Sequence, residues 1–170
     1  MINMKKTTLF LSVVLFFGTF ISCTAQQPQD ETKNPYYKQG ENGKLSVSDA
    51  QWKKVLAPKV YNIMREKGTE MANTGPYVHN PKKGFYYCAA CGHMLFSSDT
   101  KFDSGTGWPS FFKALSGGVA QAKDNSLGME RDEVVCARCG GHLGHVFDDG
   151  PKPTGLRYCM NGYALHFEEK

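Results

Sequence analysis

The stretch Cys88-Ala-Ala-Cys91-Gly92, which recurs as Cys136-Ala-Arg-Cys139-Gly140, decides the fold of this chain. Two residues between the cysteines of each pair allow a tight turn that points both sulfur atoms at one ion. The glycine after the second cysteine allows the unusual backbone dihedral angles that such a turn needs. Two of these turns supply the four thiolates of a closed, tetrahedral zinc site. We therefore predict one structural Zn²⁺, bound by Cys88, Cys91, Cys136 and Cys139.

The same cysteines allow other interpretations. An oxidising compartment would favour two disulfides in place of a metal site. A single Cys-x-x-Cys motif is also typical of redox proteins, but there it accompanies a βαβ unit, and this sequence has no such pattern. A mixed site is conceivable because Cys136, Cys139, His142 and His145 are each separated by two residues. It would leave the first cysteine pair without a role, so the four-thiolate site is favoured.

Short helices are predicted before the first cysteine pair and short strands around and after it. Ser48-Asp49-Ala50-Gln51 fits a capping box, and Pro58 separates this helix from a second one, which Gly68 is expected to end. From Gly75 onward, aromatic and β-branched runs alternate with Gly, Pro, Asn and Asp, as is typical of strands. The strand candidates are Phe85-Tyr86-Tyr87, Val134-Val135, His145-Val146-Phe147, Arg157 to Asn161 and Tyr163 to Phe167. We predict a small, mainly β, antiparallel domain with helices at its start.

The first 22 residues have the composition of a targeting segment. Lys5 and Lys6 precede an apolar run, Leu9 to Ile21, that is too short for a comfortable membrane span. The run ends in Phe20-Ile21-Ser22-Cys23, which resembles the lipobox of bacterial lipoproteins. We predict a lipoprotein-type signal peptide over residues 1–22 and lipid attachment at Cys23. An ordinary signal peptide and a transmembrane anchor are the alternatives.

A polar segment follows this leader. It contains several Pro and Gly residues and few large aliphatic side chains, which is typical of a flexible tether. We predict a tether over residues 23–44 and one domain over residues 45–168, anchored in the bacterial cell envelope and facing the periplasm or the cell surface. The formal charge of +4 on 170 residues gives no reason to expect a nucleic-acid partner.

Cys159 is the one domain cysteine outside the two pairs. Strand alternation places Arg157, Cys159 and Asn161 on one face and the apolar Tyr158 and Met160 on the other. A lone cysteine is commonly a small buried hydrophobic residue, but a polar face with one thiol suits an active site better than a core. A guanidinium two residues away would favour the reactive thiolate. His142 and His145 could supply an acid or a base.

A second candidate stretch is Gly105-Thr106-Gly107-Trp108-Pro109-Ser110-Phe111-Phe112. Two glycines and a proline around an indole predict a loop that presents Trp108. A core tryptophan packed under a turn is the alternative.

Taken together, these stretches resemble the methionine-R-sulfoxide reductase B family. The resemblance runs from about residue 46 to residue 168, with the motifs in the family's order. The matching stretches are Gly68-Thr69-Glu70, Thr74-Gly75, both cysteine pairs, Lys101-Phe102-Asp103-Ser104-Gly105, Gly107-Trp108-Pro109-Ser110-Phe111, His142-Leu143-Gly144-His145-Val146-Phe147, Asp149-Gly150-Pro151, Pro153-Thr154-Gly155 and Arg157-Tyr158-Cys159-Met160-Asn161.

The resemblance implies a twisted, barrel-like antiparallel fold with a zinc site away from the chemistry. It implies reduction of methionine R-sulfoxide in peptides and proteins, as part of oxidative stress repair. Cys159 would be the nucleophile and would become a sulfenic acid. The pocket would be lined by Trp108, His142, His145, Phe147 and Asn161. Trp108 would hold the substrate methyl group, His145 and Asn161 would polarise or protonate the sulfoxide oxygen, and Arg157 would support the thiolate.

One position departs from the pattern of many family members. Thr106 stands where they carry a resolving cysteine, and the remaining domain cysteines are assigned to zinc. We therefore expect an external dithiol, such as a thioredoxin-like protein, or a small thiol to reduce the sulfenic acid. The expected partners are oxidised proteins, this reductant and the membrane, and the enzyme is expected to be a monomer.

Two other functions compete with this one. A non-catalytic zinc-ribbon binding module would use the same four cysteines but would leave Cys159, Trp108, His145 and Asn161 unexplained. A zinc hydrolase would use His142 and His145 as ligands beside an open coordination position. In that case, substituting either histidine would release the metal.

Overall fold

A computed structural model describes residues 34–124 and 131–170. The predicted signal peptide, Cys23 and the predicted tether up to residue 33 lie outside the described residues. Two α-helices, α1 (Asp49–Val55) and α2 (Pro58–Glu66), precede the strands. The strands are β1 (Gly84–Cys88), β2 (Met94–Ser97), β3 (Lys101–Phe102), β4 (Ser110–Phe111), β5 (Val119–Asp124), β6 (Arg131–Cys136), β7 (His142–Phe147), β8 (Arg157–Met160) and β9 (Leu165–Glu169). Neither described range holds a helix with the length and apolar character needed to cross a membrane.

The strands form two antiparallel sheets. The smaller sheet has the order β2-β1-β9, and the larger has the order β3-β4-β8-β7-β6-β5. The predicted mainly β fold with helices at its start is therefore confirmed. Strands β2 to β5 were not predicted. They are only two to four residues long or, like β5 with the sequence Val-Ala-Gln-Ala-Lys-Asp, mostly exposed, so their alternation is too short or too weak to identify a strand.

An aromatic cluster joins the two sheets. The rings of Phe96 and Phe111 stack with centroids 4.3 Å apart, and Tyr86 meets Phe111 edge-on at 4.9 Å. These residues come from β2, β4 and β1, and none of the three has exposed surface. Strand β4 also pairs with β8, which carries Cys159. The aromatic cluster therefore stabilises the position of that strand.

The helices follow the predicted signals closely. Ser48 Oγ accepts a hydrogen bond from the Gln51 backbone, and the Gln51 side chain accepts one from the Ser48 backbone, which completes the capping box. Helix α2 begins at Pro58, but the left-handed residue that ends it is Lys67, with φ of 57°, one position before the predicted stop at Gly68. Gly68 leaves room for the side chain of Asn62. A Cβ atom there would lie 2.1 Å from the Asn62 side chain.

The end of the chain differs from the predicted strand. Asn161 follows β8, a 3₁₀ turn occupies Gly162–Ala164, and β9 begins only at Leu165. The prediction of strand at residues 163 and 164 was wrong. The buried carboxylate of Glu70 accepts hydrogen bonds from the backbone of Gly162 at 2.7 Å and of Tyr163 at 3.1 Å, which holds this segment in a turn.

Residues 34–44, predicted as tether, lie against the two cysteine turns. Asn34 is buried and donates to the Ala90 carbonyl at 2.9 Å, and the Gly40 backbone donates to the Gly92 carbonyl at 2.8 Å. Arg138 donates to the Tyr36 carbonyl at 3.2 Å. Backbone hydrogen bonds of this kind are not readable from a polar composition. The part of the tether that stays a prediction is therefore residues 23–33.

Candidate active site and metal site

The four paired cysteines converge on one buried point. The Sγ atoms of Cys88 and Cys139 are 3.7 Å apart, as are those of Cys91 and Cys136, and all four lie within 4.8 Å of one another. Metal–thiolate bonds of about 2.3 Å in a tetrahedron place sulfur atoms about 3.8 Å apart. The geometry therefore fits a structural metal site. All four thiols are free in the structure, so the alternative of two disulfides is not what it shows.

The glycine in each motif has the role that the sequence predicts. Gly92 and Gly140 have φ of 75° and 69°, in the left-handed region that favours glycine. Their backbone N–H groups donate to the carbonyls of Cys88 and Cys136 at 2.8 and 2.9 Å, which closes each turn. This closure brings both sulfur atoms of each pair to the same side.

His142 and His145 take no part in the metal site. In the two ranges that the structure describes, the four cysteines are the one group of three or more potential metal ligands. His142 is bound to Glu133 and His145 to Asp124. The mixed Cys₂His₂ site and the zinc hydrolase are therefore contradicted by the structure.

Cys159 lies in the middle of the larger sheet. Its register partners are Ser110 on β4 and His145 on β7, so it has a polar neighbour on each side. Along β8, Tyr158 and Met160 are buried while Arg157 and Cys159 are half-buried. The predicted alternation of a polar face and a core face is thus confirmed for residues 157 to 160, whereas Asn161, predicted on the polar face, follows the strand and is buried.

The surroundings of Cys159 favour the protonated thiol at rest. Burial raises the pKa of Cys159 above its ordinary value, and smaller opposing effects come from Thr106, Arg157 and Ser110. The Arg157 guanidinium donates two hydrogen bonds of 2.8 Å to Asp149 and lies 4.4 Å from the centre of the Phe147 ring. The guanidinium charge of Arg157 lowers the pKa of Cys159, in the direction that the sequence predicts, but desolvation of the thiol is the larger effect.

His145 is oriented by a carboxylate. Its Nε2 atom lies 2.9 Å from Asp124 Oδ2, which also accepts from Arg131 at 2.9 Å. A carboxylate hydrogen-bonded to one ring nitrogen fixes the orientation of the imidazole. Because His145 stands directly opposite Cys159, this arrangement places a potential proton donor beside the thiol.

His142 lies behind His145 in the sheet. Its side chain is 4% exposed, and Nδ1 lies 2.8 Å from Glu133, whose other oxygen accepts from Lys67 at 2.7 Å. Burial lowers the pKa of His142, and Glu133 opposes that effect. A β-bulge opposite Val134 shifts the register, so the rings of His142 and His145 meet with centroids 5.4 Å apart. His142 therefore supports His145 and has little access to an open pocket.

Trp108 is presented by its loop. The indole is half-buried, its Nε1 donates to the Glu70 carbonyl at 3.2 Å, and its own carbonyl accepts from Ser110 Oγ at 3.2 Å. Gly107, with φ of 88°, accepts at its carbonyl from the Asn73 backbone at 2.8 Å. The first bond holds the indole, and the other two hold the backbone that carries it. The predicted loop is confirmed, and the core alternative is not.

Asn161 is committed to the backbone around it. The side chain is 3% exposed, its Oδ1 accepts from the Glu70 backbone at 3.0 Å, and its Nδ2 donates to the Leu143 carbonyl at 3.1 Å. It thereby ties the segment of Glu70 to β7. The geometry gives Asn161 a positioning role, and its contact with substrate stays a prediction.

Three acidic residues of this region are absent from the predicted site. Glu70 holds the turn after β8, Asp124 orients His145, and Glu133 binds His142. Burial raises the pKa of Glu70, although the backbone donors Gly162 and Tyr163 oppose this. Of the three, Glu70 alone had a sequence signal, because Gly68-Thr69-Glu70 is one of the family-like stretches.

A half-buried thiol lies on the polar face of a sheet, with a carboxylate-bound histidine opposite it and a four-thiol site elsewhere. These features define a thiol-based enzyme with a site for a structural metal. A family model described as SelR domain matches residues 56–169, and the chain belongs to this family. The chain is 58% identical to a peptide methionine sulfoxide reductase MsrB of Leptospira interrogans over 130 residues, 76% of this chain and 99% of the relative.

Two further relatives carry the same name. The protein of Agrobacterium fabrum is 56% identical over 126 residues, covering 74% of this chain and 93% of its own length. The protein of Methanosarcina mazei is 56% identical over 128 residues, covering 75% and 91%. The resemblance to the methionine-R-sulfoxide reductase B family is therefore confirmed.

Proposed function

We propose that this protein is a peptide-methionine (R)-S-oxide reductase, which reduces methionine sulfoxide in peptides and proteins to methionine. The observation that carries the proposal is the position of Cys159, a half-buried thiol between Ser110 and His145 on the polar face of the larger sheet. Family membership and relatives of 52–58% identity that bear the name of this reductase support the same reaction.

In the proposed reaction, Cys159 Sγ attacks the sulfoxide sulfur and the oxygen ends on the cysteine. The substrate sulfur gains two electrons and becomes a thioether, while Cys159 loses two and becomes a sulfenic acid. The oxygen is a poor leaving group unless it is protonated. His145, held by Asp124, donates that proton to the oxygen. The proton that the Cys159 thiol releases then returns His145 to its starting state.

Trp108 has the arrangement needed to select the substrate methyl group. Its indole N–H is used by the Glu70 carbonyl, so the remaining surface of the ring is apolar. An aromatic face of this kind binds a methyl group and offers no hydrogen bond to a charged or hydroxylated one. Phe147, covered on one face by Arg157, adds a second ring at the end of β7.

The sulfenic acid is reduced by an external dithiol in this proposal. Two thiols of the reductant lose two electrons and become a disulfide, Cys159 returns to the thiol, and the oxygen leaves as water. Thr106 lies 3.8 Å from Cys159 Sγ, where a resolving cysteine would otherwise stand. The four remaining described cysteines are gathered in the metal site. A thioredoxin-like protein has the chemistry that the step requires.

The proposed metal is one Zn²⁺, because four thiolates with tetrahedral spacing are its usual structural ligands. When bound, it joins the turn after β1 to the turn after β6 and supplies no reaction step. We further propose that the leader exports the chain to the cell envelope and that lipidation of Cys23 anchors it there, on the strength of the lipobox-like residues 20–23.

Turnover with defined epimers tests the reaction. The full chain, purified with its metal, is given a dithiol and a peptide that contains either the R or the S sulfoxide of methionine. Reduction of the R epimer alone, abolished in Cys159→Ser, is the expected result. Equal turnover in Cys159→Ser, or no turnover by folded wild-type protein with metal bound, would contradict the proposal.

Trapping the oxidised cysteine tests the external reductant. After a single turnover without reductant, dimedone is expected to label Cys159 as a sulfenic acid. Thr106→Cys is the matched variant, because a thiol at this place can form a disulfide with Cys159 and should block the label. A disulfide to Cys159 in the wild-type protein, mapped by mass spectrometry, would show that an internal thiol resolves the intermediate.

A further inference from the structure

Three hydroxyl groups connect Cys159 to a backbone carbonyl. Thr106 Oγ1 lies 3.8 Å from Cys159 Sγ and 2.8 Å from Ser104 Oγ, and Ser104 Oγ lies 2.7 Å from Ser110 Oγ. Ser110 Oγ donates to the Trp108 carbonyl at 3.2 Å. We call this series of three side chains the hydroxyl chain. It runs from the proposed reactive sulfur to the backbone of the residue that holds the substrate.

The direction of the hydroxyl chain depends on the proton of Cys159. Each hydroxyl has one hydrogen to donate and two lone pairs to accept with. With a thiol, Cys159 donates to Thr106, Thr106 to Ser104, Ser104 to Ser110, and Ser110 to the Trp108 carbonyl. With a thiolate, Thr106 must donate to the sulfur, so Ser104 turns toward Thr106 and Ser110 toward Ser104. Rotation of three hydroxyl hydrogens therefore gives Cys159 a hydrogen bond with Thr106 in both of its protonation states.

The fold holds this chain in place. Ser110 has no exposed surface and is the register partner of Cys159, so water cannot replace the hydroxyl at the buried end. Gly105, with φ of 69°, donates its N–H to Asp103 Oδ1 at 2.9 Å, and this turn directs Ser104 and Thr106 toward the same side. Hydrogen bonds that are linked in a chain away from water strengthen one another, so each is stronger than the same bond would be alone.

The charged groups near Cys159 already have partners. Arg157 is held by two hydrogen bonds to Asp149, and His145 by Asp124, which also binds Arg131. These pairs fix the position of each charge when the thiol ionises. The hydroxyl hydrogens can instead turn toward the sulfur at the moment when the proton leaves.

We propose that the hydroxyl chain is a proton-sensitive support for Cys159, in which Thr106 is the positioning residue that stabilises the thiolate during attack. The proposal rests on the function above and adds a role for a residue that stands in place of a cysteine. Thr106 contacts the sulfur and Ser104 acts through Thr106, while Ser110, the register partner of Cys159, completes the chain at its buried end.

The pH profile of alkylation tests the proposal without turnover. The full chain with Cys23→Ser and its metal bound is treated with iodoacetamide over a range of pH, and labelling of Cys159 is followed by mass spectrometry. Thr106→Val should raise the pH midpoint by about one unit, which lowers the rate near neutral pH roughly tenfold. Thr106→Ser should restore the wild-type midpoint, and Ser104→Ala should give a smaller shift of the same sign.

The control is Thr69→Val, which makes the same substitution at an exposed threonine. It should leave the midpoint unchanged. A wild-type midpoint in both Thr106→Val and Ser104→Ala would overturn the hydroxyl chain, as would failure of Thr106→Ser to restore it. Ser104→Ala keeps the test valid if Thr106→Val does not fold. Shifted midpoints with no sulfoxide turnover would support the hydroxyl chain and overturn the proposed function, whereas turnover with unshifted midpoints would overturn the hydroxyl chain alone.

Discussion

The metal site and the sheet face around Cys159 use the same side chain in opposite surroundings. The four metal-site cysteines are between 0% and 8% exposed and have other sulfur atoms as neighbours at 3.7 Å. Cys159 is half-buried and has hydroxyls, a guanidinium and a histidine around it. Four thiolates packed together need a cation to balance their charge. One thiol among polar donors and a guanidinium can lose its proton without a bound metal ion, and it is accessible to a substrate.

Each region also contains an arginine, and the two arginines differ in the same way. Arg138 is 5% exposed and donates to the Cys91 carbonyl at 2.7 Å, inside the metal site region. Arg157 is paired with Asp149, whose side chain is 62% exposed, at the edge of the active face. The first ties backbone segments together, and the second contributes charge near a thiol. Stability and reactivity should therefore respond to different substitutions.

The largest expected contrast is between two cysteine-to-serine variants. Cys136→Ser removes one metal ligand from a buried cluster, so the metal should be lost and stability should fall by several kcal/mol, on the order of the folding energy that such sites supply. Cys159→Ser should keep the metal and the unfolding temperature while losing turnover. Metal analysis together with thermal unfolding by circular dichroism checks both. A Cys136→Ser protein that melts like the wild type would break the contrast.

Substitutions of the two arginines should have effects of intermediate size on stability and on the reactivity of Cys159. Arg138→Met leaves the carbonyls of Cys91 and Tyr36 without this donor and should cost about 1–3 kcal/mol, with turnover of the folded protein unchanged. Arg157→Met removes an ion pair with an exposed partner and should cost less than about 1 kcal/mol. It should, however, slow alkylation of Cys159 near neutral pH. Urea unfolding and iodoacetamide rates are the measurements. Equal effects of both substitutions on stability and on rate would remove the distinction.

The smallest expected effect is the contribution of His142 to the pH dependence of the unfolding free energy. Burial lowers its pKa in the folded protein below the ordinary value of 6.5. The unfolded state therefore binds the proton more readily, so this contribution to stability is complete above pH 6.5 and is lost as pH falls toward the folded pKa. The unfolding free energy of the wild type should decline more steeply below pH 6.5 than that of His142→Gln. Parallel curves for the two proteins would contradict the assignment.

Local patterns predicted much of the site. The two cysteine pairs with their glycines, the alternation around Cys159 and the glycine-flanked Trp108 are each read within a few residues, because turn geometry and strand period are local properties. Glu70, Asp124 and Glu133 were not predicted, since their partners lie many positions away. Glu70, for example, binds the backbone of residues 162 and 163, more than 90 positions along the chain.

The sequence by itself determined the four cysteines that meet at the candidate metal site, the mainly antiparallel fold, the family and the candidate reactive cysteine. The tertiary structure decided the pKa of that cysteine, which desolvation raises by more than the charge of Arg157 lowers it. It also decided that the side chains of Asn161 and His142 are held in buried hydrogen bonds. In addition, it placed residues 34–44 against the cysteine turns of the metal site. The physical reason is common to all of these. Burial and hydrogen-bond partners depend on which distant segments meet, and no local pattern in a chain specifies those meetings.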